Sequence, residues 1–279
     1  VEAAVIDPGQ GLAYFGTATY PGRVVKVYLA AFSRVDALVL QPGEDWLADA
    51  VIDPGHGFAY FLARGLEPAP RMLAKVDLTT FTRVGAFAFE AADDPCVAVI
   101  DATNGFAYFG GNNRPARVVK VDLDTLARAG TLTFEAGEDY LRSAVIDVAG
   151  GLAYFGTSTE PGVVVKVDLV SFSRVADLRL SSGENNLRSA LIEPDEGFAY
   201  FGTGTYPGIV VKVDLATFSR VGAITLDTGE DALTSAVLDP TDRLAYFGTA
   251  TAPGRIVRID LATFTRSGAL VLAAGEDNL

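Results

Sequence analysis

Histidine and cysteine each occur once in these 279 residues, as His56 and Cys96. A lone cysteine cannot close an internal disulfide, so the chain is not a stapled scaffold and its redox compartment stays open. One histidine leaves Ser-His-Asp or Cys-His chemistry a single possible base, and His56 lies in the turn sequence Pro54-Gly55-His56-Gly57, where no such arrangement is suggested. Histidine-ligated zinc or copper is disfavoured on the same ground. Positive charge is also scarce: 22 Lys and Arg stand against 35 Asp and Glu, a net charge of −13. Nucleic-acid and anionic-membrane partners are therefore excluded, because both draw affinity from cations neutralising phosphate. No apolar run is long enough to cross a membrane. No targeting segment is visible at Val1, and the compartment, secreted or cytoplasmic, is left open.

The chain does contain one message written six times. Ala-Val-Ile-Asp ends at Asp7 and returns, with small edits, ending at Asp53, Asp101, Asp147, Glu193 and Asp239, at spacings of 46, 48, 46, 46 and 46 residues. Each unit continues through Ala-Tyr-Phe-Gly-Thr, Pro-Gly, Val-Val-Lys-Val-Asp-Leu and Gly-Glu-Asp-x-Leu. A period in this range marks a solenoid, a propeller or an array. In the fifth unit, Ala190–Ile192, Phe198–Phe201, Ile209–Leu215 and Val221–Leu226 are short apolar or alternating runs separated by Pro and Gly turns, which reads as four strands. Parallel β-helix coils are shorter than this and lack three hairpin-like turns. The expected fold is all-β: a six-bladed β-propeller with four antiparallel strands per blade. It forms one domain, 1–279, with blades of about 1–47, 48–95, 96–141, 142–187, 188–233 and 234–279.

Ala-Tyr-Phe-Gly-Thr followed by Val-Val-Lys-Val-Asp-Leu-x-Thr-Phe resembles the YVTN-type repeat of bacterial β-propellers along the whole chain. That group includes lactonase-like and surface-layer propellers. The resemblance implies the fold, and it admits carboxylate and Ca²⁺ chemistry of the lactonase kind. The near-identity of the units also fits recent duplication, or a designed symmetric scaffold without a ligand.

Residues present in every unit are read first as folding devices. Lys26, Lys75, Lys120, Lys166 and Lys212 are expected to pair with strand carboxylates such as Asp77 and Asp214, and the acidic residue before each first turn to accept a hydrogen bond from backbone two residues ahead. Glu44, Glu138, Glu184, Glu230 and Glu276 of Gly-Glu-Asp-x-Leu cross the face where propellers place ligands. Directed at the axis they would form a Ca²⁺ site, whereas the same motif as a self-satisfied turn needs no metal, and no cofactor is otherwise called for. Residues that break the repeat are the candidate site. They are Trp46 and Tyr140 at the variable position of that motif, Arg64, Glu67 and Arg71 in a loop three residues longer than its counterpart in unit 1, and Asn112, Asn113 and Arg114 in the third unit. Aromatics, amides and guanidinium groups on one face make a recognition surface. The expected function is a non-catalytic, monomeric binding or scaffold module for a protein, peptide or glycan. The alternatives are a Ca²⁺-dependent lactonase-like hydrolase on the five glutamates and a multivalent lectin, the latter weakened by the single Trp.

Overall fold

The structure, a computed structural model, describes residues 3–65 and 70–279. It holds six antiparallel four-stranded sheets, each formed by consecutive strands, here A to D. The sheets span 3–39, 47–88, 95–133, 141–179, 187–225 and 233–271. One 3₁₀ turn, Pro194–Glu196, is the only helical element among the described residues. The fold is a six-bladed β-propeller. By contact the chain divides into two compact units, residues 1–113 with 117–133, and residues 114–116 with 134–279. The first carries blades 1 to 3, the second blades 4 to 6.

Blade 5 shows how the sequence builds a sheet. Its strands are Leu187–Glu193, Phe198–Thr203, Ile209–Asp214 and Ser219–Thr225. Strand A starts three residues before the expected Ala190, because the Leu of Gly-Glu-Asp-x-Leu is its first residue: Leu187 pairs with Thr203 across a bulge that precedes Ser189. Strand D starts early because the C–D connection is tight. Asp214 accepts hydrogen bonds from the Thr217 N–H (2.7 Å) and hydroxyl (2.8 Å), which hold its carboxyl below the usual range. The bend then needs positive φ at Phe218 (47°), and the equivalent Phe32, Phe81, Leu126, Phe172 and Phe264 share it.

The Tyr-Phe pair of strand B gives each blade two different faces, since neighbouring residues of a strand point to opposite sides. Tyr200 lies on the forward face with Leu191, Val210 and Leu226, and this group packs against Phe247, Val257, Ile259 and Leu261 on the rear face of blade 6. Tyr154 and Phe201 repeat the arrangement between blades 4 and 5, and Tyr14 and Phe61 between blades 1 and 2. These aromatics are buried outright, each contributing about 1.5–3 kcal/mol of transfer free energy.

The strand C lysines do not take the carboxylate partners expected of them. Lys212 Nζ lies 3.8 Å from the Phe198 ring centroid and 5.4 Å from that of Phe264. Lys75 sits 4.1 Å from the Phe58 centroid and donates to the Leu123 carbonyl at 2.7 Å. The carboxylates two residues on are taken by the C–D turn, which leaves the ammonium groups to the aromatic faces. Burial draws the pKa of Lys120 and Lys212 down.

In the A–B turns, Asp7, Asp53, Asp101 and Asp147 accept from the N–H three residues ahead, at Gln10, His56, Asn104 and Gly150. The expected span of two is seen at Asp239, which accepts the Thr241 N–H at 3.0 Å and the Asp242 N–H at 3.3 Å. Glu193 uses its extra methylene to reach the Tyr200 hydroxyl (2.9 Å) and Arg243 Nε (3.0 Å).

A candidate recognition site in the loops

The Gly-Glu-Asp-x-Leu glutamates serve the contact between blades. Glu138 Oε2 accepts the Glu135 N–H at 2.8 Å, closing its own turn, while Oε1 accepts Arg174 Nε (2.9 Å) and Nη2 (2.6 Å) from strand D of blade 4. Glu184 pairs likewise with Arg220, Glu230 with Arg266, and Glu44 with Arg83. In the altered connection before blade 3, Asp93 takes the role with Arg128. Glu44, Glu138, Glu184 and Glu230 are at most 5% exposed. Glu276 keeps the backbone bond, from Ala273 N–H at 2.8 Å, and is exposed. Among the described residues no three His, Cys, Asp or Glu gather as a metal-holding set.

Four B–C loops share a threonine scaffold. Thr157 Oγ1 accepts the Val163 N–H at 2.8 Å and Thr159 donates to the Pro161 carbonyl at 2.8 Å. Thr17, Thr203 and Thr249 each accept a backbone N–H in the same way. Blade 2 has Ala63 at this place and blade 3 has Gly111, so both loops are released from the shared geometry.

The predicted site residues fall into small groups. In the first unit, the Arg64 guanidinium lies 5.7 Å from the Trp46 ring, and Tyr20 meets the same ring edge-on at 6.5 Å. The Arg64 N–H donates to the Trp46 carbonyl (3.1 Å), and the Trp46 N–H to Thr19 (3.2 Å). A second group surrounds the connection before blade 3. Arg71 forms an ion pair with Asp94 and donates to the Pro95 carbonyl at 3.1 Å. Asn112 donates to Asp94 (backbone 2.9 Å, side chain 3.3 Å), and Asn113 Nδ2 to the Ala92 carbonyl at 2.7 Å. Gly111 is required here, since a Cβ would overlap the Asp93 carbonyl and the Asn113 side chain. In the second unit, Arg114 pairs with the buried Asp139 at 3.1 Å, and the Tyr140 carbonyl accepts the Ser158 N–H at 2.7 Å. Glu67 lies outside the described residues. His56 stays in its turn, with Nδ1 2.7 Å from Asp53 Oδ2.

The variable position of Gly-Glu-Asp-x-Leu has one backbone and five kinds of side chain at its six occurrences. Trp46, Asp94, Tyr140, Asn186, Ala232 and Asn278 all have positive φ, from 39° to 57°. The turn thus holds its shape while the side chain changes, which is how a display position behaves.

Asp49 was not anticipated. It stands where blades 4 to 6 have Ser143, Ser189 and Ser235. Ser143 and Ser189 donate to the next blade's strand A, at the Leu187 and Leu233 carbonyls. Asp49 reverses the polarity by accepting the Ala98 N–H of blade 3 at 2.8 Å, together with the Ala50 N–H at 2.8 Å. Burial outweighs these bonds and pushes its pKa up to about 6. The break in the serine pattern was the signal.

No family model and no curated protein matches the chain. Many solved structures do, among them one of hydrazine synthase from Kuenenia stuttgartiensis, with a TM-score of 0.78 and 14% identity over 93% of this chain and 76% of that one. At that identity the likeness carries the fold alone. The YVTN-type resemblance thus rests on the repeat motif, and the comparison supports the propeller.

Proposed function

We propose that the chain is a non-catalytic binding module that recognises a protein, peptide or glycan through its blade 2 and 3 loops, with Trp46 and Arg64 at the centre. The observation that carries this reading is the constant backbone of the display position, which in one turn presents an indole flanked by Tyr20 and a guanidinium. Trp, Tyr and Arg supply most of the energy at binding surfaces, because they combine large area with directed hydrogen bonds. Arg71, Asn112 and Asn113, braced by the 92–95 segment, add polar specificity beside them.

The test is to probe peptide and glycan arrays with the labelled chain and with its Trp46→Ala variant. Ligands retained by the wild type should lose at least about tenfold in affinity in the variant, the loss expected of a hot spot of ~1.4 kcal/mol or more. Equal retention by the two proteins, or no ligand on either array, would overturn the assignment.

A further inference from the structure

Blades 1 and 2, both in the first compact unit, enclose a cavity of about 340 Å³ at the A–B turn end of their sheets, opposite the loop site. Asp7, Gln10, Tyr14 and Lys26 of blade 1 line it, with Gly57 and Thr79 of blade 2. Asp7 and Lys26 bring opposite charges to one space, yet neither forms an ion pair among the described residues. Asp7 is 6% exposed, and one of its oxygens accepts the Gln10 N–H at 3.1 Å. The Tyr14 hydroxyl, on a side chain 1% exposed, has no hydrogen-bond partner among the described residues. Polar and charged groups at such depth are costly unless answered.

The equivalent places elsewhere are filled or stripped. Between blades 2 and 3, Phe58 stands for Leu12, and Lys75 lies 4.1 Å from its ring centroid and donates to the Leu123 carbonyl. Between blades 5 and 6, Arg243 stands for Gly57, and its guanidinium meets Glu193 at 3.0 Å and Glu196 at 2.9 Å. Blade 1 has neither filler: Lys26 Nζ is 5.4 Å from the Phe81 centroid and 5.9 Å from that of Tyr14. Between blades 4 and 5, Leu152 and Lys166 repeat Leu12 and Lys26, but Gly150 and Ala216 replace Gln10 and Thr79 and remove their polar groups. Arg243 also shows what such a place accepts, a cationic group on the strand A carboxylate beside the strand B tyrosine.

We propose that the cavity between blades 1 and 2 binds a free α-amino acid, its ammonium on Asp7 and Tyr14 and its carboxylate on Lys26 and Thr79. Two unpaired charges of opposite sign call for a ligand that carries both. The volume, at the low end for ligand pockets, restricts the ligand to a small molecule. Charge-assisted hydrogen bonds at each end supply the affinity. The site stands independently of the loop reading.

The test is isothermal titration of the full chain with free α-amino acids of acidic, basic, polar and apolar side chain, each beside its decarboxylated amine and its N-acetyl form. At least one amino acid should bind, and its two analogues, each lacking one charged end, should bind at least about tenfold more weakly. Lys26→Met and Gly57→Arg should each weaken binding by a similar factor. The second change copies Arg243, which holds the same left-handed turn at φ 54°. Lys166→Met, the matching change in blade 4, and Trp46→Ala should leave binding unaltered. The proposal would be overturned by a panel in which no amino acid binds, by analogues that bind as tightly as the parent, or by Lys26→Met protein that binds like the wild type. Equal loss in Lys166→Met or Trp46→Ala would overturn it too.

Discussion

At the scale of single residues, Asp49 inverts the usual sign of a carboxylate's effect. Its folded pKa of about 6 lies above the ordinary 3.8, so between those values the native state holds more protons than the unfolded chain. Stability therefore falls as pH rises through that window, and the loss is complete above it, by at most about 3 kcal/mol. Asp49→Ser, which installs the residue of blades 4 to 6, should stabilise the protein more at pH 7 than at pH 4 in urea titrations; an equal effect at both would refute the assignment. The arginines make a second test. Arg220→Ala leaves Glu184 buried without its cation and should cost about 3 kcal/mol in urea titrations. The glutamates were plain in the sequence and their arginines were not. A partner 36 residues away on the next blade is chosen by packing, which no local spacing reveals.

Elements come next. The four-strand period was legible because Gly and Pro punctuate it, and Tyr-Phe was legible as packing, though not which ring faces which neighbour. The strand limits were short because a bulge lets Leu187 join strand A after an apparent loop. The end of strand B shows a compensation between elements. A Cβ on Gly202 would overlap the Ser189 hydroxyl and press on Leu233, so Gly202→Ala should cost about 1–3 kcal/mol by calorimetry. Blade 2 carries Leu62 at this place without strain, for Asp49 and Pro95 stand where blade 5 has Ser189 and Leu233. The substitution Leu62→Gly should then destabilise by about 2–5 kcal/mol, the reverse of the blade 5 result. The loops of blades 2 and 3 were recognised as different from their sequence. That they escape a threonine scaffold became visible only through the hydrogen bonds of the other four.

For the molecule as a whole, the repeat read from the sequence and the six sheets agree blade for blade, because every strand pairs only within its own unit. The engaged glutamates lead to a global expectation. Chelator-stripped protein should melt at one temperature with and without Ca²⁺, since a ligand raises stability only through sites open in the native state. A clear upward shift would contradict the structural role assigned to these carboxylates. The self-contained sheets also bear on how such a chain changes over generations. With no strand shared between blades, a gene that gains or loses 46 codons gains or loses one complete four-stranded blade. Unequal recombination between the near-identical units of blades 4 to 6 changes the blade number by whole sheets, never by part of one.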